Sequence, residues 1–166
     1  FDMSYPSWAT APDIEFQAQD ECDFIMGEFV WTGFDYLGEP TPYAREWPSR
    51  SSYFGIIDLA GIPKDRFYLY QSRWSGRDVI HLMPHWTWPG MEGQTVQVQC
   101  YTNHRHAQLF VNGKSCGSKS HYRKNKVLES SYRFHWPAVV YEPGELKVVV
   151  YDQDGNAIGE RRIVTA

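Results

Sequence analysis

Few residue patterns in this sequence have the types and spacing for chemistry. Histidines form two close pairs: His81 and His85 flank Met83-Pro84, and His104 and His106 make an H-x-H. Neutral imidazoles bind zinc, but a site needs three or four ligands. No third ligand is spaced to join either pair, so His81 is read as facing a core, and His104 and His106 as sitting in a turn. Asp152, Asp154 and Asn156 match part of a calcium loop, yet the remaining ligands and the closing Glu are missing; a hairpin turn is the better reading. Cys22, Cys100 and Cys116 show no C-x-x-C, and an odd count argues against a disulfide framework. Cys100 and Cys116 can pair if neighbouring strands bring them together; otherwise they are free buried thiols. No metal and no cofactor is expected.

Aromatic residues make up 16% of the chain, with 7 Trp, 11 Tyr and 9 Phe. Aromatic faces are what sugar-binding sites need, and they also dominate core packing. Trp86 and Trp88, followed by Pro89-Gly90, have three readings: an exposed platform for a glycan, a plug at a sandwich edge, or a junction with the preceding domain. The junction is the expectation.

Hydrophobic residues at 42% and charged residues at 22% lie near globular averages, so a core is expected and disorder is not. Net charge is −4 and pI about 5.8, with no basic stripe. The cluster Arg123, Lys124, Lys126 is too short to argue for nucleic acid and reads as a solvated loop. No apolar run reaches membrane-spanning length, and these residues do not read as a secretion signal, which a fragment would have left behind. A length of 166 residues suits one domain, or one small domain plus part of another. The chain opens at Phe1 in sequence that already reads as structured, and is read as a fragment.

The elements that would position such residues divide near Ser75-Gly76, mixed α and β before it and all β after it. Thr10-Ala-Pro-Asp13 looks like a helix start, with Thr10 as cap, Pro12 in the first turn and Asp13 at the positive end; the helix runs to about Cys22. Phe24 to Trp31 is a nearly continuous apolar run, suiting a strand buried on both faces. Thr32 to Tyr53 is a long irregular stretch whose aromatics argue for an ordered, working loop. A second helix is predicted from Lys64 to Trp74, with Phe67, Tyr70 and Trp74 on one face. Beyond Val79, short strands recur. Val96, Val98 and Cys100 alternate with Gln97 and Gln99. Ala107, Leu109 and Val111 lead into Asn112-Gly113, a strong hairpin signal. Tyr132, Phe134 and Trp136 alternate with Arg133 and His135. Glu142-Pro-Gly144 and Asp154-Gly-Asn156 turn the chain into two further strands. The fold class is mainly β, an immunoglobulin-like β-sandwich over residues 76–166 preceded over residues 1–75 by a last α/β unit of a (β/α)8 barrel.

Two stretches carry a family resemblance. Gly27-Glu-Phe-Val-Trp-Thr-Gly-Phe-Asp-Tyr-Leu-Gly-Glu-Pro-Thr-Pro-Tyr43 resembles the eighth barrel strand and following loop of glycoside hydrolase family 2. Ser51-Ser-Tyr-Phe-Gly-Ile-Ile-Asp-Leu-Ala-Gly-Ile-Pro-Lys-Asp-Arg-Phe-Tyr-Leu-Tyr-Gln-Ser-Arg-Trp74 resembles its last loop and closing helix. The segment after Ser75 is similar to the accessory domain of gut-bacterial β-galactosidases. The resemblance implies retaining hydrolysis of terminal β-galactosyl groups by two glutamates about 5–5.5 Å apart. Both are expected upstream of Phe1: Glu28 is read as structural, and nothing marks Glu39 or Glu46 as acid or base. It further implies a periplasmic or secreted home, a carbohydrate substrate, the remainder of the barrel as partner, and room for a homo-oligomer.

By the same resemblance, Trp31 lies in the pocket for the sugar being cleaved. Asp35 and Tyr36 follow it, and Asp35 is open to two readings, as a hydroxyl ligand or as a loop brace. Tyr53 and Phe54 would line the same face. Related β-glucuronidases grip the sugar carboxylate with an Asn-x-Lys pair where this chain reads Ser52-Tyr-Phe54, so no cation stands ready for a uronate and a neutral sugar is expected. Deprived of neighbours, Phe24 to Trp31 would expose an edge, and is expected to meet a second copy of the chain, pair with the sandwich or depart from the family's geometry. A stand-alone carbohydrate-binding module and a structural spacer are the competing readings; neither has use for a barrel strand and a closing helix.

Overall fold

The computed structural model describes residues 5, 7–41, 43, 45–121 and 129–166. The Arg123, Lys124, Lys126 cluster lies outside them. The chain forms two compact units, Phe1–Tyr68 and Leu69–Ala166.

The second unit is a two-sheet antiparallel sandwich. One sheet has the order β1-β2-β5, with β1 at Ile80–Met83, β2 at Thr95–Thr102 and β5 at Phe134–Val140. The other has the order β4-β3-β6-β7, with β3 at His106–Val111, β4 at Lys114–Ser120, β6 at Glu145–Tyr151 and β7 at Ala157–Val164. Alternation puts Val96, Val98 and Cys100 of β2 against Leu109, Val148 and Val150 of the facing sheet in one buried cluster. The expected hairpin forms at Asn112-Gly113, both at positive φ (49° and 78°), which suits the twist of paired strands. The Asn112 side chain accepts from Glu145 N–H at 2.8 Å and donates to the Pro143 carbonyl at 3.0 Å, clasping this turn to the turn before β6.

Several expectations are corrected here. Trp86 is neither a glycan platform nor a junction residue: it is fully buried in the sandwich core, with its indole N–H on the Glu142 carbonyl at 3.0 Å. Trp88 is half-buried against the same core and stacks on His85. Tyr132 belongs to the helical turn α3 (Glu129–Tyr132), so β5 starts two residues late. The Arg133 guanidinium, on which the sequence set no expectation, is buried, donates to the Tyr101 hydroxyl at 3.0 Å and lies over that ring. The paired aromatic and amide acceptors let a cation occupy a covered sheet face. His106 opens β3 rather than lying in the turn. The cysteines keep to the unpaired reading: all three are free, and burial pushes the Cys100 thiol up to about 12.

In the first unit, α1 spans Pro12–Glu21. Its N-cap is Ala11, not Thr10, and no side chain caps it. The second helix, α2, spans Asp65–Trp74, with Asp65–Tyr68 in this unit and Leu69–Trp74 in the second; it buries Leu69, Tyr70 and Ser72, and Trp74 is half exposed, with its ring against Tyr70. The run from Phe24 to Trp31 forms no strand and joins no ladder among the described residues. Phe24, Met26, Phe29 and Trp31 stand exposed. A strand exists only through its neighbours' hydrogen bonds, and the described residues of this unit form no ladder beside this run.

Candidate functional site

The site is built from two loops that run together. Residues 32–38 and 50–57 are laced by backbone bonds: Ile56 N–H to the Thr32 carbonyl (3.0 Å), Ile57 N–H to Gly33 (3.0 Å), Asp35 N–H to Ile57 (2.9 Å), Ser52 N–H to Tyr36 (2.9 Å) and Gly38 N–H to Arg50 (3.1 Å). The contact is so close at Gly55 that a Cβ there would lie 2.1 Å from the Asp35 nitrogen and 2.3 Å from the Phe34 carbonyl carbon. Only glycine permits it. The irregular stretch therefore keeps its backbone polar groups satisfied without forming a sheet.

Asp35 sits behind this seam. Its carboxylate accepts from Gly55 N–H at 2.8 Å and from the Lys64 ammonium at 2.8 and 2.7 Å through its two oxygens. Its side chain is 5% exposed and that of Lys64 33%. Of the two readings of Asp35, this geometry is that of the brace. Lys64 also donates to the Tyr53 carbonyl at 3.2 Å, and its own N–H is held by the Ile56 carbonyl at 2.8 Å.

In front of the brace are the aromatics. Trp31 is 74% exposed and meets Tyr36 edge to face, centroids 6.4 Å apart. The Trp31–Thr32 peptide is cis. Tyr36 is fixed by Ser52: its N–H donates to the Ser52 hydroxyl at 3.2 Å and its carbonyl accepts the Ser52 N–H. The Tyr36 hydroxyl donates a short bond to the Glu39 carboxylate, which holds the phenol above its usual range. Tyr53 is exposed, its ring edge-on to Tyr43 at 5.2 Å. The Phe54 ring meets Trp8 at 5.6 Å, and its carbonyl faces Thr32 N–H. Of the five residues singled out from sequence, Asp35, Tyr36, Tyr53 and Phe54 lie on one laced pair of loops and Trp31 directly precedes it.

Lys64, Gly55 and Ser52 escaped that reading. Lys64 left a signal: it stands directly before α2, where the positive helix end disfavours a cation, so a lysine there calls for a private carboxylate. Glu28 is half-buried; burial and then the Glu15 carboxylate raise its pKa, while the Gln19 amide pulls it down. Among the described residues no group of three His, Cys, Asp or Glu is placed to hold a metal. His81 lies by the Tyr101 ring, His104 lies 3.5 Å from Asp78, and Asp152 caps its turn through the Asp154 and Asn156 N–H groups.

A profile described as a domain of unknown function (DUF4982) matches residues 93–159, within the sandwich unit. The chain is 45% identical over 167 residues to a protein named beta-galactosidase BoGH2A of Bacteroides ovatus, covering all of this chain and 18% of that protein. It is 39% identical over 141 residues to a putative beta-glucuronidase of Formosa agariphila, covering 84% of this chain and 13% of that one. The crystal structure of a glycosyl hydrolase family 2 member from Bacteroides cellulosilyticus superposes with a TM-score of 0.73 at 27% identity, over 86% of this chain and 22% of that chain. This chain is a glycoside hydrolase family 2 homologue. It spans about a fifth or less of the length of these family 2 relatives.

Proposed function

We propose that the chain is part of a retaining family 2 β-glycosidase that removes terminal β-galactosyl groups, with residues 1–75 completing a (β/α)8 barrel and residues 76–166 forming an immunoglobulin-like accessory domain. Trp31, Tyr36, Tyr53 and Phe54 face the sugar, and Asp35 holds their loops. The observation that carries the reading is the exposed Trp31 indole, set edge-on to a pinned Tyr36 whose hydroxyl is bonded to Glu39. An indole face packs on the apolar C–H face of galactose, while phenol and carboxylate suit its hydroxyls. Two glutamates elsewhere in the polypeptide, about 5–5.5 Å apart, would attack the anomeric carbon and protonate the leaving oxygen. A neutral sugar is favoured because the Lys64 ammonium is already committed to Asp35.

The test uses the full-length polypeptide with chromogenic β-galactoside and β-glucuronide. Galactoside cleavage, with Trp31→Ala lowering kcat/KM on the order of 100-fold, supports the reading. Glucuronide cleavage alone overturns the choice of sugar. Cleavage of neither returns the chain to the non-catalytic carbohydrate-binding or structural class.

A further inference from the structure

We infer that Lys64 is a positioning residue of the sugar site, acting through Asp35 on Trp31 and Tyr36; the inference rests on the function proposed above. Three observations carry it. First, the Asp35 carboxylate is almost wholly buried and all its described partners are protein groups, namely Gly55 N–H and the Lys64 ammonium. It is poorly exposed for contact with substrate, so any influence it has passes through the backbone it holds. Second, Lys64, at the entry to α2, ties the two loops together: its ammonium reaches both Asp35 oxygens and the Tyr53 carbonyl, and its own N–H the Ile56 carbonyl. A single ammonium with three donors suits such a junction. Third, the residue next to Asp35 is Tyr36, whose ring sets the edge of Trp31. A shift of residues 35–36 is therefore passed directly to the aromatic pair.

The ion pair is not a general stability device. Lys64 is one third exposed, where solvent screens the attraction. What it supplies is direction. Without the ammonium, Asp35 keeps the Gly55 N–H, and the seam between residues 32–38 and 50–57 loses a side-chain tie to the residue that precedes α2. Sugar stacking on Trp31 depends on where the indole stands, and displacement of a binding group on the scale of an ångström weakens catalysis steeply.

The experiment compares wild type, Lys64→Met and Lys64→Arg in the full-length polypeptide, with 4-nitrophenyl β-galactoside as substrate. We expect Lys64→Met to raise KM about tenfold with kcat changed less than about threefold, and Lys64→Arg to restore KM to within about threefold. Equal kinetics in all three overturns the inference. So does a loss confined to kcat in proportion to the folded fraction and not rescued by arginine, which marks a merely structural role. The same proteins labelled with 5-fluorotryptophan give a readout independent of turnover. The Trp31 resonance, assigned with Trp31→Phe, should move in Lys64→Met and return in Lys64→Arg. If wild type cleaves no glycoside, the proposed function fails, and an unmoved Trp31 signal then also sinks the positioning role.

Discussion

The Lys64 ammonium meets both oxygens of the Asp35 carboxylate, at 2.8 and 2.7 Å, across 29 residues of chain. Breaking such a pair from the buried side differs from breaking it from the exposed side. Asp35→Ala removes the acceptor of Gly55 N–H and leaves an ammonium that can turn to water. The expected cost is about 1–3 kcal/mol, dominated by the orphaned N–H and the lost seam. Urea denaturation of the variant at low and at 0.5 M salt checks this. A cost that vanishes in salt would make the interaction a screened surface pair instead.

Gly55 tests the same seam from the backbone. A methyl group there would sit inside the van der Waals radius of Asp35 N and Phe34 C, with no flexible side chain to yield. Gly55→Ala should destabilise the first unit by roughly 3 kcal/mol or more. The control is Gly33→Ala, where a Cβ meets nothing within 4 Å. Comparable protease resistance of the two variants would show that the loops are not packed as described.

The sandwich was the more legible part of this sequence because its signals are local. Asn112-Gly113 names its own turn, and the alternation of Val96, Val98 and Cys100 names its own face. Trp86 was misread for the complementary reason. A side chain's exposure depends on what covers it, and the carbonyl that receives the Trp86 indole N–H, that of Glu142, lies 56 residues away in sequence. Phe24 to Trp31 reads as a strand by composition, yet a strand is a relation between segments, and this unit lacks the neighbours. In the site, the aromatics were legible as types, whereas the Asp35–Lys64 brace was not, since pairing over such a separation leaves no periodicity.

Asn112 joins two turns of the sandwich, and its removal should be felt at both. Asn112→Ala loses the bonds to Glu145 N–H and the Pro143 carbonyl, and an alanine resists the positive φ that Asn112 adopts. A loss of about 1–2 kcal/mol is expected. Asn112→Gly keeps the backbone permissive and isolates the side-chain share, so it should cost less than the alanine variant. Thermal unfolding of the three proteins orders them; an alanine variant as stable as wild type would show that the clasp carries no stability.

His121 makes the stability of the sandwich depend on pH. Its ring is largely buried 4.5 Å from the Phe134 ring, and burial, then the Arg105 cation and His106, push its pKa down from 6.5 to about 4. The folded protein thus keeps His121 neutral where the unfolded chain would protonate it. As pH falls from 6.5 towards 4, the unfolded state binds the extra proton and stability drops; above 6.5 this group contributes no slope, and below about 4 both states are charged and the slope ends. The full loss is on the order of 3 kcal/mol. The carboxylates Asp152 and Glu160, both held below their ordinary values of 3.8 and 4.5, add a further loss that sets in only at the acid end of this window and below it. Urea midpoints at pH 7.5 and 4.5 should therefore differ strongly for wild type and much less for His121→Phe, which fills the same apolar place without a titrating nitrogen. An equal pH dependence in the two proteins would remove His121 as its source.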